Sequence, residues 1–216
     1  MANQETAYGL RPIGMVGSGP NSTGITEYEI ASGNTNVIYN GGIVVPLNTG
    51  YIDYAGDTAG GTTQALGVLT GVMYQDSTQK KPVWLNYWPG SGGVSVDTNY
   101  PVRAYVADNP NQLFQVSSDA SLTSKATAQA AVFANTDLGT SARTGSTDTG
   151  KSDSQASVAN IATTATLPLR IVGIVDDDAN ADFTAAGIPL KVRLNAHFNA
   201  GTRRFDSQTT ADSTGI

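Results

Sequence analysis

Short apolar runs broken by Gly, Asn, Asp and Pro follow one another from Ile25 almost to the end of the chain, the spacing expected of an all-β sandwich or single β-barrel. Thr26, Tyr28 and Ile30 alternate with Glu27 and Glu29, which predicts a strand that hides one face and shows an acidic one. Further strands are expected at 37–39, 43–47, 51–54 and 65–74. In the last of these, Leu66-Gly67-Val68-Leu69-Thr70-Gly71-Val72 places glycines inside the run, so bulges or tight corners are expected there. In Val83-Trp84-Leu85-Asn86-Tyr87-Trp88 the alternation assigns Val83, Leu85 and Tyr87 to one face and both tryptophans to the other. Burial on both faces is favoured over an exposed aromatic pair, because tryptophan is mostly buried. Runs at 102–106 and 113–116 flank Asp108-Asn109-Pro110-Asn111, a turn sequence that predicts a hairpin. Near the end, Ile188, Leu190, Val192, Leu194, Ala196 and Phe198 alternate without a break against Pro189, Lys191, Arg193, Asn195, His197 and Asn199, which predicts a half-buried strand.

Three stretches depart from this pattern. Residues 1–24 carry Tyr8, Leu10, Ile13, Met15 and Val16 among glycines and prolines, which forbids a long helix and disfavours a central strand. They read as an extended arm whose apolar groups must lie either on the chain's own body or on a neighbour, the neighbour being favoured. Residues 126–134 are alanine-rich and free of Gly and Pro, enough for one short helix. Residues 135–166 form a Thr/Ser/Gly/Asp tract too long for an ordinary loop, expected as an extended surface excursion of the β-rich domain at 25–199. Residues 200–216 are a polar tail with Arg203 and Arg204, expected to be mobile unless a partner orders it.

Composition narrows the function. Only 14% of the 216 residues are charged, against about 25% in a typical soluble domain, and small neutral side chains suit close packing against a partner. The net charge of −6 opposes nucleic-acid binding, since an acidic body gains nothing from counterion release. With no cysteine, disulfides, thiolate catalysis and zinc–thiolate sites are excluded. The first five residues lack a basic start and an apolar stretch, so no secretory signal is expected. No run approaches the roughly 18 apolar residues of a membrane helix, and a soluble protein without a membrane partner is expected.

Three constellations carry possible chemistry. Gly145-Ser146-Thr147-Asp148-Thr149-Gly150-Lys151-Ser152 satisfies the phosphate-loop pattern letter by letter. In such a site Gly145 and Gly150 let backbone N–H groups wrap the phosphates, Lys151 reaches them and Ser152 binds Mg²⁺. The flanking polar residues do not supply the buried strand and following helix that this chemistry needs, so nucleotide binding is the lesser reading. Asp176, Asp178, Asn180 and Asp182 alternate as in a calcium loop, but Ala181 and Gly187 stand where that loop needs glycine and glutamate. An acidic turn is the simpler reading. His197 is the only histidine, so any Ser/His/Asp triad must use it. Its place beside Lys191 and Arg193 predicts a solvated basic stripe instead, either contacting a partner or pairing within the chain with Glu27 and Glu29. No cofactor is expected.

Segments 65–90 and 164–202 resemble virion proteins of tailed bacteriophages. The resemblance rests on Leu66-Gly67-Val68-Leu69-Thr70-Gly71-Val72-Met73-Tyr74, Tyr87-Trp88-Pro89-Gly90-Ser91, Thr166-Leu167-Pro168-Leu169-Arg170-Ile171-Val172-Gly173-Ile174-Val175 and Val192-Arg193-Leu194-Asn195-Ala196-His197-Phe198-Asn199. It implies a non-enzymatic structural protein, a capsid decoration or cement protein on the outside of the major capsid protein, or else a tail or fibre component. Its implied partners are the major capsid protein and neighbouring copies of itself. Its implied setting is the capsid surface after assembly in the host cytoplasm. Tyr8, Leu10, Pro12, Ile13, Met15, Lys191, Arg193 and His197 are then the candidate contacts.

Overall fold

The structure, a computed structural model, describes residue 3 and residues 7–17, 24–55, 64–139, 144–175 and 177–200. In chain order the strands are β1 (Arg11–Met15), β2 (Ile25–Ile30), β3 (Ile43–Pro46), β4 (Ile52–Tyr54), β5 (Gly67–Gln75), β6 (Pro82–Leu85), β7 (Val102–Ala107), β8 (Gln112–Ser117), β9 (Asn135–Thr136), β10 (Leu169–Ile174) and β11 (Pro189–Leu194). Helix α1 (Lys125–Ala130) stands between β8 and β9, and a 3-10 turn (Asp178–Asn180) precedes β11. Two antiparallel sheets result, one ordered β1-β8-β11-β10-β9, the other β2-β7-β5-β3-β4 with β6 added to β5. The fold is all-β and sandwich-like, and no closed barrel forms among the described residues.

The middle strands of the six-stranded sheet are buried on both faces. Ile43, Val68 and Ala107 face a core shared with Phe114, Val116, Ile171, Leu190 and Val192 of the five-stranded sheet. Their chain neighbours Val44, Leu69 and Val106 face a second core with Ile30, Ile52, Val72, Trp88 and Val102. This is why the sequence there reads as a continuous apolar run. The sheet curls around the second core until β2 and β4 approach each other. Asn34 and Asn36 donate to the Asp53 carboxylate across that approach, at 2.9 and 2.8 Å.

The bulge expected inside β5 is present: its register against β7 shifts between Leu69 and Gly71. Thr70 takes the extra place, its hydroxyl donating to Tyr105 O at 2.9 Å while Asn40 Nδ2 donates to Thr70 O at 2.7 Å. The bulge keeps Leu69 and Val72 on the inner face, and leaves Gly71 and Met73 on the outer face beside Tyr105 and Arg103. The helix is the short one expected, capped by Ser124, whose Oγ accepts from Thr127 N at 3.1 Å.

Four expectations need correction. Residues 102–117 are not a hairpin: the Asp108–Asn111 turn forms, with Gln112 N donating to Asn109 O at 2.9 Å, but β7 joins one sheet and β8 the other. The arm lies on its own body rather than a neighbour's. β1 is an edge strand on β8, where Pro12 needs no outer ladder bond. Tyr8 and Leu10 are buried in the chain's own interior. Leu10 N donates to Gly41 O at 2.9 Å, and Gly9 and Gly41, both at positive φ, let the two backbones touch. The 135–166 tract is not a surface excursion. Leu138, Ser152, Ser154, Ala156 and Ser157 are buried, and backbone bridges tie it to Asn40 and Ser118. Its small side chains let the backbone pass close, and its hydroxyls find partners, as in the 2.7 Å contact between Ser152 and Ser154 Oγ atoms. The fourth correction concerns Glu27, which pairs with Arg103 on the neighbouring strand at 3.4 Å and not with the basic residues of β11. Residues 18–23 of the arm and 201–216 of the tail, with Arg203 and Arg204, lie outside the described residues.

Candidate functional site

The phosphate-loop string folds into a closed hairpin. Gly145 and Ser152 bridge antiparallel, Ser146 N donates to Lys151 O at 3.0 Å, and Gly150 N donates to Ser146 O at 2.7 Å. The carbonyl of Gly150 accepts from Asn40 N, and Ser152 N donates to Asn40 O. The N–H groups of Ser146, Gly150 and Ser152 are thus already engaged within the chain, Ser152 is buried, and no helix follows. Gly145 and Gly150 serve packing: a side chain at either would strike Tyr39 or Asn86. The nucleotide-binding reading fails on this geometry.

The acidic turn is likewise closed on itself. Asp177 caps the 3-10 turn and accepts from Ala179 N at 3.0 Å and from Asn180 Nδ2 at 2.8 Å. Asp182 Oδ1 accepts from Thr184 Oγ1 and N at 2.6 and 3.0 Å, bonds that hold its carboxyl below the usual carboxylate range. Asn180 is buried and Asp178 exposed. Asp176 lies outside the described residues, and among the described ones no group of three candidate ligands gathers.

His197 does not join a solvated stripe. β11 ends at Leu194, after which the chain turns over: Asn195 and His197 are buried while Phe198 is exposed. Asn195 Nδ2 donates to Ala165 O and Leu167 O at 3.0 and 3.1 Å. His197 Nδ1 accepts from Asn199 N at 3.0 Å, which places its proton on Nε2, and Nε2 is buried with no partner among the described residues. Burial, reinforced by Arg193 and opposed by Asp108, pushes its pKa down to about 4. The imidazole is therefore neutral near pH 7. Lys191 and Arg193 stay on the outer, half-buried face of β11. Of the arm contacts, Pro12 and Ile13 are exposed and Met15 half-buried, whereas Tyr8 carries the Arg11 guanidinium 3.8 Å above its ring.

What the structure presents to a partner lies on the outer face of the six-stranded sheet, beyond the reach of the other sheet. Trp84 of β6 is 56% exposed and Tyr100 55%. The indole lies over Gly71, where an added Cβ would come within 2.6 Å of Cζ2, and rests against Tyr105 with ring centroids 4.9 Å apart. An open cleft of about 180 Å³ runs beside it, lined by Met73, Pro82, Tyr100, Pro101 and Arg103 among others. Comparison with family models, curated proteins and solved structures finds no match. The favoured burial of both tryptophans holds for Trp88 but not for Trp84; the rest of this face was missed because its parts come from three separated runs. The available signal was Gly71, a glycine in register with Tyr105 and two positions from Met73, the partner of Trp84. No helix among the described residues is long and apolar enough to cross a membrane.

Proposed function

We propose that the chain is a non-enzymatic structural protein of a tailed-bacteriophage virion, decorating the outer surface of the major capsid protein and stabilising the shell. The observation that carries this reading is the aromatic face of Trp84, Tyr105 and Tyr100 beside Arg103, held on a rigid antiparallel sheet. Aromatic and Arg side chains dominate the energetic centres of protein interfaces. The resemblance adds support, since its segments supply β5 and β6 of that face and β10 and β11 of the sheet behind it. A filled capsid is under internal pressure, and a protein bridging adjacent capsomers adds buried contact area across each seam. In this reading neither nucleic acid nor membrane is a partner, and neighbouring copies stand close together on the shell. The test is to separate heads from tails of purified source virions and measure the chain's peptides in each by mass spectrometry. High copy number in heads is expected. Recovery in tails alone moves the assignment to a tail or fibre component, and absence from both overturns the virion reading.

A further inference from the structure

The strands of the five-stranded sheet carry charge of one sign. Four of the chain's 12 Lys and Arg residues stand in them, Arg11, Arg170, Lys191 and Arg193, and none of its 18 Asp and Glu. In a chain of net charge −6 this sheet is a basic island. Alternation puts the cations of β10 and β11 on the outer face. Arg170 lies between Leu169 and Ile171, and Lys191 and Arg193 alternate with Leu190, Val192 and Leu194, all five of them core residues. Lys191 is in register with Gln115, and Gln115 with Arg11, so the same face continues across β8 to β1.

Three of these cations converge. Arg170 and Arg193 stand directly opposite each other on neighbouring strands, roughly 5 Å apart at the backbone. Lys191 follows two residues along β11, roughly 6.5–7 Å away. Its stem lies over Gly173 of β10, where an added Cβ would come 3.9 Å from Lys191 Cδ. Like charges directly opposite one another destabilise a sheet, so this register works against the isolated chain. Neither Arg170 nor Lys191 has an ion-pair partner among the described residues, where the pairs are Lys80–Asp97 and Arg103–Glu27. Arg170 is also fixed in place. Its Nε donates to Oδ1 of the buried Asn135 at 3.1 Å, and Asn135 Nδ2 donates to Thr164 O at 2.9 Å. That bond occupies Nε and leaves the two terminal nitrogens of the fork for a carboxylate.

We propose that the outer face of the five-stranded sheet, centred on Arg170, Arg193 and Lys191, docks a protein partner through a carboxylate-bearing segment. Carboxylates set between the three cations replace their mutual repulsion with attraction, and the held guanidinium loses little freedom on binding. Along an extended segment, carboxylates at alternate positions recur every roughly 6.5–7 Å, the spacing of Lys191 and Arg193. A nucleic acid suits the face less well, because a long polyanion crossing it runs on to the acidic remainder of the chain. The surface belongs to the other sheet from the aromatic face of Trp84, and the inference stands without the virion reading.

The test is fluorescence anisotropy of a labelled peptide of alternating Glu and Ser, titrated with the purified full chain at about 10 mM and about 150 mM salt. The same peptide with Gln for Glu and a DNA duplex of about 20 base pairs are titrated beside it, and circular dichroism checks that each variant folds. Wild type is expected to bind the Glu peptide with Kd on the order of 1 mM at the lower salt, to bind it several-fold more weakly at the higher, and not to bind the Gln peptide. Arg170→Gln and Lys191→Gln are each expected to weaken binding by about two- to fivefold. Lys81→Gln, which removes the same charge from an exposed position beside β6, is expected to leave it unchanged. No saturable binding by wild type, an equal loss with Lys81→Gln, or a duplex bound more tightly than the Glu peptide would each overturn the proposal. Sedimentation velocity at the lower salt adds a last arm: self-association of wild type that Lys191→Gln abolishes assigns the face to a second copy and overturns it as well.

Discussion

Two-residue alternation assigns the faces of both Val83–Trp88 and Ile188–Phe198, and in both the pattern outlives the strand. β6 stops at Leu85 and β11 at Leu194. Beyond each end the chain turns over, so that Trp88, of the same parity as the exposed Trp84, is fully buried, and Asn195 and His197, of the same parity as Lys191, are buried too. The difference lies in what is turned inward. Trp88 is apolar apart from one N–H, which donates to Asn34 O at 3.2 Å, and its backbone re-pairs with Ile38 in both directions at 2.8 Å. At the end of β11 the inverted residues are polar, and burying them costs free energy unless each finds a partner or gives up its charge. Asn195 does the first and His197 the second. Alternation reports a residue's face only while the ladder runs; after that, the next available backbone partner decides.

Breaking the first inversion has the largest expected effect. Trp88→Ala empties the centre of the second core, where the indole meets Tyr74 edge-on at 6.3 Å, and is expected to cost about 3–5 kcal/mol. Urea unfolding measures it, and a loss below about 1 kcal/mol would contradict the burial. The second inversion breaks with acid. His197 has a folded pKa of about 4, below the ordinary 6.5, so between those values the unfolded chain binds more protons than the folded one. Stability tied to this residue is complete above pH 6.5, falls as pH drops from 6.5 toward 4 and levels off below, a loss of up to about 3 kcal/mol. Unfolding curves of His197→Gln and wild type across that range should therefore converge toward low pH. Parallel curves would mean that His197 is not held neutral.

Much of the framework was legible because it rests on local physics: the alternation of β2, the bulge signalled by glycines within β5, the Asp108–Asn111 turn, and a single alanine-rich helix. The turn sequence specified the reversal but not its destination, since pairing across two sheets is decided by contacts distant in sequence. The 145–152 string read as a phosphate loop because a pattern of letters carries no information on which N–H groups are already bonded; Asn40, more than a hundred residues earlier, answers that. The outer aromatic face escaped notice for a related reason. Trp84, Tyr100 and Tyr105 meet only once β5, β6 and β7 are in register.

A finer test of the inverted polar pair is Asn195→Ala. It removes the donor that holds Ala165 and Leu167 carbonyls against the end of β11, and is expected to cost about 1–2 kcal/mol. Hydrogen exchange localises the effect: the amide of Asn195, bonded to Pro168 O at 2.7 Å, should lose protection while the amides of β5 and β7 keep theirs. Equal loss throughout would mean that this end is not a separate fastening.

The smallest expected effect on stability belongs to the tryptophan left outside. Trp84→Ala surrenders the tilted ring contact with Tyr105 but opens no internal cavity, so the cost is about 1 kcal/mol. Gly71→Ala drives a Cβ under the same indole and should destabilise by a similar amount by lifting the ring from the sheet. If the ring is seated as described, the two changes are not additive: Gly71→Ala costs almost nothing once Trp84 is already alanine. Full additivity would place the indole elsewhere. Trp84 contributes little to folding and lies over a position kept free of side chain, so under the proposed capsid-decorating function binding to isolated capsomers should respond to Trp84→Ala far more than stability does, by tenfold or more in Kd, about 1.4 kcal/mol. The same substitution at Trp88, four residues on, acts the other way, falling on stability far more than on any surface contact.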